Sequence, residues 1–207
     1  MPNLLRPPAT FTDDEISAVM VMVRRPYPLP LPTVDVADLD SVEQAASRGV
    51  RSLRLREIDL DTEPRKSALR RVAHVCGATS RLSMQVTAPG GAGVMAQRFD
   101  VFVDGSSLVT VLARGDGVHV FADAQAPEVM KLVGSWCGEA HRATDGRGAI
   151  LLGRTEPARG VMIGHKSYRI RPNGPRSWRA EIELTTGQIG QEIAGLLFEV
   201  LPAPHED

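Results

Sequence analysis

The hydrophobic pattern divides the chain into helical and alternating stretches. Residues Thr12-Asp13-Asp14-Glu15 form a capping box, and Ile16, Val19, Met20 and Val23 follow at helical spacing, so a helix with one apolar stripe starts at Thr12. Pro26, Pro28, Pro30 and Pro32 then forbid helix, while the interleaved Tyr27, Leu29 and Leu31 suit an extended or polyproline II segment laid over a surface, or an edge strand. A second capping box at Asp40-Ser41-Val42-Glu43 predicts a short helix closed by Gly49. From residue 51 to 60, Leu53 and Leu55 alternate with Arg54 and Arg56, which predicts a strand with a bulge before Ile58. Thr62-Glu63-Pro64 opens another helix that turns Leu69, Val72, Ala73 and Cys76 inward, ends at Gly77, and exposes Arg65, Lys66, Arg70 and Arg71.

Leu82, Met84 and Val86 alternate in the next strand. The stretch around which the pattern is organised is 97–138. Phe99, Val101 and Val103 share one face of a strand, with Arg98, Asp100 and Phe102 on the other. Asp104-Gly105 supplies a tight turn, Leu108, Val109, Val111 and Leu112 resume the strand, and Arg114-Gly115-Asp116-Gly117 leads into a strand over 118–121. Asp123 is the expected N-cap of a helix carrying Val129, Met130, Leu132, Val133 and Trp136 and ending at Gly138. Polar residues 139–148 mark a boundary. Ala149 to Leu152 is a short apolar run, 154–160 is loop-like, and 161–163 is too short to assign. A last hairpin pairs 167–171 with 177–184 across Pro172-Asn173-Gly174-Pro175, and Thr185 with Gln188 caps a helix bearing Ile189, Ile193, Leu196, Leu197 and Val200. Hairpin then helix thus occurs twice. The order predicts an α+β fold in which antiparallel β-sheet is flanked by helices, a single domain of two pseudo-repeated halves, 12–138 and 149–201.

With 207 residues, 43% of them hydrophobic, the chain can bury a sizeable core. Aromatics make up only 4%, which leaves few stacking platforms for bases or sugars. The 24 basic and 25 acidic side chains give a net charge of −1, so no overall field draws the chain to nucleic acid or anionic lipid. The basic row at Arg65, Lys66, Arg70 and Arg71 is interleaved with acids and reads as a solvated face. The longest apolar run, 16–23, is too short to span a bilayer and follows three acidic residues, so neither a membrane segment nor a signal peptide is expected. Cys76 and Cys137 stand far apart with no C-x-x-C and read as reduced, half-buried thiols, as expected of a cytoplasmic protein, with a disulfide between them as the other reading.

Chemistry leaves little trace in the pattern. His74, His119, His141, His165 and His205 are scattered and form no metal motif, and the glycines at 90–93 match no phosphate-binding loop. His119 reads as a surface or half-buried strand residue on the face opposite Val118 and Val120. His141, near Glu139 and Asp145, reads as part of a polar loop. Gly134-Ser135-Trp136-Cys137-Gly138 is out of register for a nucleophile elbow and lies late in a helix. No catalytic, metal or cofactor residues are therefore assigned, and a non-enzyme is expected.

The capped helix at 12–23, the segment Tyr27-Pro28-Leu29-Pro30-Leu31-Pro32, and the helix ending Ala45-Ala46-Ser47-Arg48-Gly49-Val50 together resemble the opening of EspG proteins. The later strands, the helix over 127–136, and the closing Tyr168-Arg169-Ile170, Trp178 and helix 189–201 are similar to the rest of that family, though its members are longer in their second half. EspG proteins are cytosolic chaperones of type VII (ESX) secretion. The resemblance implies an EspG-like fold and binding of a helical PE/PPE-like secretion substrate, without catalytic residues. A partner helix needs an apolar patch with a polar rim, and the residues expected to provide it are Gly91, Val94, Met95, Arg98, Asp100 and Phe102. Two other classes stay open: a small-ligand-binding or hydrolytic domain with a pocket at His119 or His141, and a homodimer joined through a sheet edge.

Overall fold

A computed structural model of the chain describes residues 7–87, 95–143, 149–155, 158–164, 166–172 and 178–201. The fold is α+β with antiparallel sheet, as the pattern predicts. It separates into two compact units that are discontinuous in sequence: Met1–Thr79 with Val109–Asp123, and Ser80–Leu108 with Ala124–Asp207.

In the first unit, β1 (Ala9–Thr12) runs antiparallel to β5 (Val118–Ala124) with Phe11 opposite His119, and β5 in turn neighbours β4 (Ser107–Ala113). Helix α1 (Asp13–Val23) starts at the Thr12 capping box, in which the Glu15 amide donates to Thr12 Oγ1 (3.3 Å) and the Thr12 amide to Glu15 Oε2 (3.1 Å). The Pro/Leu segment takes no strand. It lies extended with Tyr27, Leu29, Leu31 and Val34 buried and all four prolines exposed, so its leucines serve packing.

The largest departure from expectation is α2, one helix from Leu39 to Leu55 in place of a short helix and a strand. Gly49 does not end it. Ala45, Ala46, Gly49 and Leu53 are its buried positions, one helical stripe, and the missing side chain at Gly49 admits the backbone of α1. Leu53 and Leu55, paired by a strand reading, stand about 200° apart on a helix, and Leu55 is 87% exposed. The N-cap is Asp38, two residues before the expected Asp40, with its Oδ1 accepting from the Asp40 amide at 3.2 Å. The next helix is likewise offset: Pro64–Lys66 form a 3₁₀ turn and α3 spans Arg70–Gly77. Arg71, expected in solvent, is buried.

The second unit holds the strand order β3-β2-β6-β7-β8-β9, made of β2 (Ser80–Thr87), β3 (Met95–Asp104), β6 (Ala149–Thr155), β7 (Ala158–Ile163), β8 (Ser167–Pro172) and β9 (Trp178–Leu184). Its core joins Leu82, Met84, Val101, Val103, Val161 and Leu184 from the strands to Val129 and Val133 of α4 (Ala126–Ala143) and Leu196, Leu197 and Val200 of α5 (Thr186–Val200). The predicted alternation therefore faces two amphipathic helices. Of the residues read as loop-like, 154–155 and 158–160 are in strands, with Arg154 opposite Arg159 and Thr155 opposite Ala158. Helix α4 continues past Gly138, and Asp123 is not its cap: the Gln125 amide donates to Glu128 Oε2 at 2.9 Å, and Asp123 stays in β5. At α5 the predicted Thr185/Gln188 capping box is present. The turn after β3 falls on Gly105 and Ser106, one residue later than expected, and Gly105 takes the left-handed φ of 61° that glycine adopts without a Cβ penalty.

Candidate functional site

The six residues expected to meet a partner are differently placed. Gly91 and Val94 lie outside the described residues. Met95 and Arg98 are on the β3 backbone opposite Thr87 and Gln85, and their side chains also lie outside the described set. Asp100 and Phe102 share the face opposite Val101, as alternation requires, but both are buried. Asp100 accepts a hydrogen bond from Ser83 Oγ directly across the ladder and lies 3.7 Å from Arg81 Nε. A carboxylate withdrawn from water needs such donors, and here they come from the neighbouring strand. Phe102, at 1% exposure, is a core side chain and offers no surface to a partner.

The chemistry-bearing cluster that sequence reading missed is in the first unit. Asp13, the first residue of α1, and His119, on β5, are both buried, and His119 Nε2 lies 2.8 Å from Asp13 Oδ1. The other ring nitrogen, Nδ1, lies 3.3 Å from Tyr27 Oη, and the Tyr27 ring meets the imidazole edge-on at 5.5 Å. Asp13 Oδ2 accepts from both the amide (2.8 Å) and the hydroxyl (2.9 Å) of Thr33. Nε2–H of the imidazole donates to Asp13, and Nδ1 shares a hydrogen bond with the Tyr27 hydroxyl. Burial opposes the Asp13 charge, but the hydrogen bonds from His119 and Thr33 and the attraction of His119 outweigh it and hold the carboxyl below its ordinary value. The helix N-terminus favours the same charge.

A carboxylate, an imidazole and a hydroxyl in line resemble the parts of a base-activated nucleophile. Here the imidazole is wholly enclosed and Tyr27 is 7% exposed, so in this conformation the chain fastens the fold and receives no substrate atom. The alternation contained a signal for it: His119 and Phe121 share a β5 face, and Phe121 is a core aromatic packed edge-on against Phe11 at 5.6 Å. His119 is therefore a fully buried core residue, where a surface or half-buried one was expected. His141 belongs to α4, not a loop, and its side chain lies outside the described residues.

Two further polar clusters brace the same unit. Buried Glu15 accepts from Ser52 Oγ (2.8 Å) and Arg56 Nη1 (2.8 Å), and that Arg56 nitrogen also reaches the Thr10 carbonyl on β1 (3.1 Å). The Arg56 guanidinium stands over the Phe11 ring at 5.4 Å. Asp123 receives hydrogen bonds from Arg70 and Arg71, and Arg71 also donates to the Pro7 carbonyl (2.8 Å). Burial raises the Asp123 carboxyl, and the two guanidiniums more than reverse that, leaving it below its usual range. Cys76 is a free thiol that burial pushes up to about 12, so it is no nucleophile at neutral pH.

Among the described residues no group of three His, Cys, Asp or Glu side chains is placed to hold a metal ion, and no helix is long and apolar enough to cross a membrane. A shallow polar groove follows α2 along Asp40, Glu43, Gln44, Ser47, Arg48 and Arg51. Exposed apolar side chains in the second unit include Ile182 on β9 and Phe198 on α5. No protein-family model matches this sequence, and no curated protein matches it significantly.

Proposed function

We propose that the chain is a non-catalytic adaptor of the EspG kind, a cytoplasmic chaperone that binds a helical PE/PPE-like substrate of type VII secretion. The order of its elements and its α+β class support the reading. The observation that carries it is Phe198. Leu196, Leu197 and Val200 turn α5 into the core, while Phe198 points away and is 71% exposed. A phenyl ring in water forgoes roughly 2 kcal/mol of burial, which a partner recovers on docking. Ile182, 50% exposed on β9, adds apolar surface in the same unit, while Glu181 and Glu183, on the opposite face of the strand, pair with Arg171 and Lys166. Phe102 is buried, so the proposal is carried by Phe198.

The test is calorimetric titration of the purified chain with a purified PE/PPE heterodimer. The proposal expects saturable binding that Phe198→Ser weakens at least about tenfold, with the melting temperature unchanged. Absence of binding, or equal affinity in the variant, refutes it.

A further inference from the structure

We propose that residues 25–34 form a releasable strap over the first unit, fastened through the Asp13–His119 pair. The segment belongs to no helix or strand, and four of its ten positions, Pro26, Pro28, Pro30 and Pro32, have no amide hydrogen with which to join a ladder. It is held in two other ways. Its underside inserts Tyr27, Leu29, Leu31 and Val34 into the unit. Polar attachments reach the buried pair from both ends, Tyr27 Oη on His119 Nδ1 and the Thr33 amide and hydroxyl on Asp13 Oδ2.

The strap is also bounded by chain geometry. At its start Arg24 takes a left-handed φ of 53°, closing α1, and the Arg25 amide returns to the Met20 carbonyl at 3.2 Å. At its end the Val34 amide turns back to Leu31 O within the segment (3.1 Å), and beyond it Asp38 caps α2. Both flanking helices have their own caps and pack on each other through Gly49. Lifting residues 26–34 therefore leaves the α1 closure at Arg24 and Arg25, and the α1–α2 pair, in place. Segments of this kind open with a smaller free energy than the whole fold. Opening uncovers four apolar side chains and frees His119 Nδ1 from Tyr27.

Native-state hydrogen exchange tests the inference, with the residue 33 amide, which donates to Asp13 Oδ2, reporting the strap and the Val19 and Leu53 amides reporting α1 and α2. Tyr27→Phe and Thr33→Val each delete one hydroxyl from the fastening and keep side-chain volume and shape. Each is expected to lower the protection of the residue 33 amide about tenfold, with Val19 and Leu53 unchanged. Carbethoxylation of His119, located by mass spectrometry, should rise in Tyr27→Phe. Equal loss of protection at all three amides would mean the segment opens only with the whole unit and overturns the proposal. So does unchanged protection of the residue 33 amide in both variants, or a His119 modification rate that stays at the wild-type value.

Discussion

A Cβ built on Gly49 would lie 2.0 Å from the carbonyl oxygen of Asp14, inside any permitted contact. The two residues mark where α2 crosses α1, and the obstacle is backbone on the α1 side, which no rotamer change can move. Gly49 therefore sits mid-helix despite glycine's helix cost of about 1 kcal/mol, because close approach of the two backbones returns more.

Gly49→Ala is expected to destabilise the protein by about 3 kcal/mol or more, even though alanine is the better helix former. Urea unfolding followed by circular dichroism measures it. A stabilised or neutral variant would show that the helices do not meet at this position.

The Asp13–His119 pair makes stability depend on acid. The Asp13 carboxyl lies below its ordinary 3.8 in the folded protein, so its ionised form is the one the fold favours. The resulting stabilisation is complete at pH values above 3.8 and disappears as pH falls from there through the lower native value. Asp13→Asn should cost stability at neutral pH, and the gap to wild type should narrow on acidification. Asp123 titrates in the same direction and stays in both proteins, so the difference reports Asp13. Removing the imidazole alone, in His119→Ala, strands a buried carboxylate and should cost about 3–5 kcal/mol. Chemical unfolding from about pH 2 to 7 reads both effects; parallel curves for wild type and Asp13→Asn would contradict the first.

Phe102 is a core residue on the second face of β3, and truncation should act on folding. Phe102→Ala is expected to lower stability by about 3–5 kcal/mol, whereas Phe198→Ser should leave it within about 0.5 kcal/mol of wild type. Differential scanning calorimetry separates the two. Equal melting temperatures for Phe102→Ala and wild type would return that ring to the surface.

Elements specified by local chemistry were legible. The capping boxes at Thr12 and Thr185 pair a hydroxyl with an acid or amide three residues on, and both occur as read. The alternations Leu82/Met84 and Val101/Val103 place those side chains in one core. Asp123 misled because an acid before a proline-bearing helix resembles a cap, while two arginines of α3 claimed it for an ion-pair cluster. Gly49 misled for a related reason: its smallness served a neighbouring helix, and a C-terminal signal looks identical in one dimension.

The candidate site was least legible. Asp13 and His119 are 106 positions apart, and nothing between them announces the contact. Each looked ordinary where it stood, Asp13 as one of three acids at a helix start and His119 as a polar residue in a short strand.

The sequence by itself determined the class of fold, most helices and strands, and which faces are apolar, because capping, alternation and helical spacing are properties of neighbouring residues. Tertiary structure alone decided that α2 runs through Gly49, that Phe102 is covered, and that a carboxylate and an imidazole meet beneath a proline-rich segment whose Tyr27 phenol reaches them. Those outcomes depend on close approach and on desolvated polar groups finding donors across long loops, and both are settled only when the elements dock.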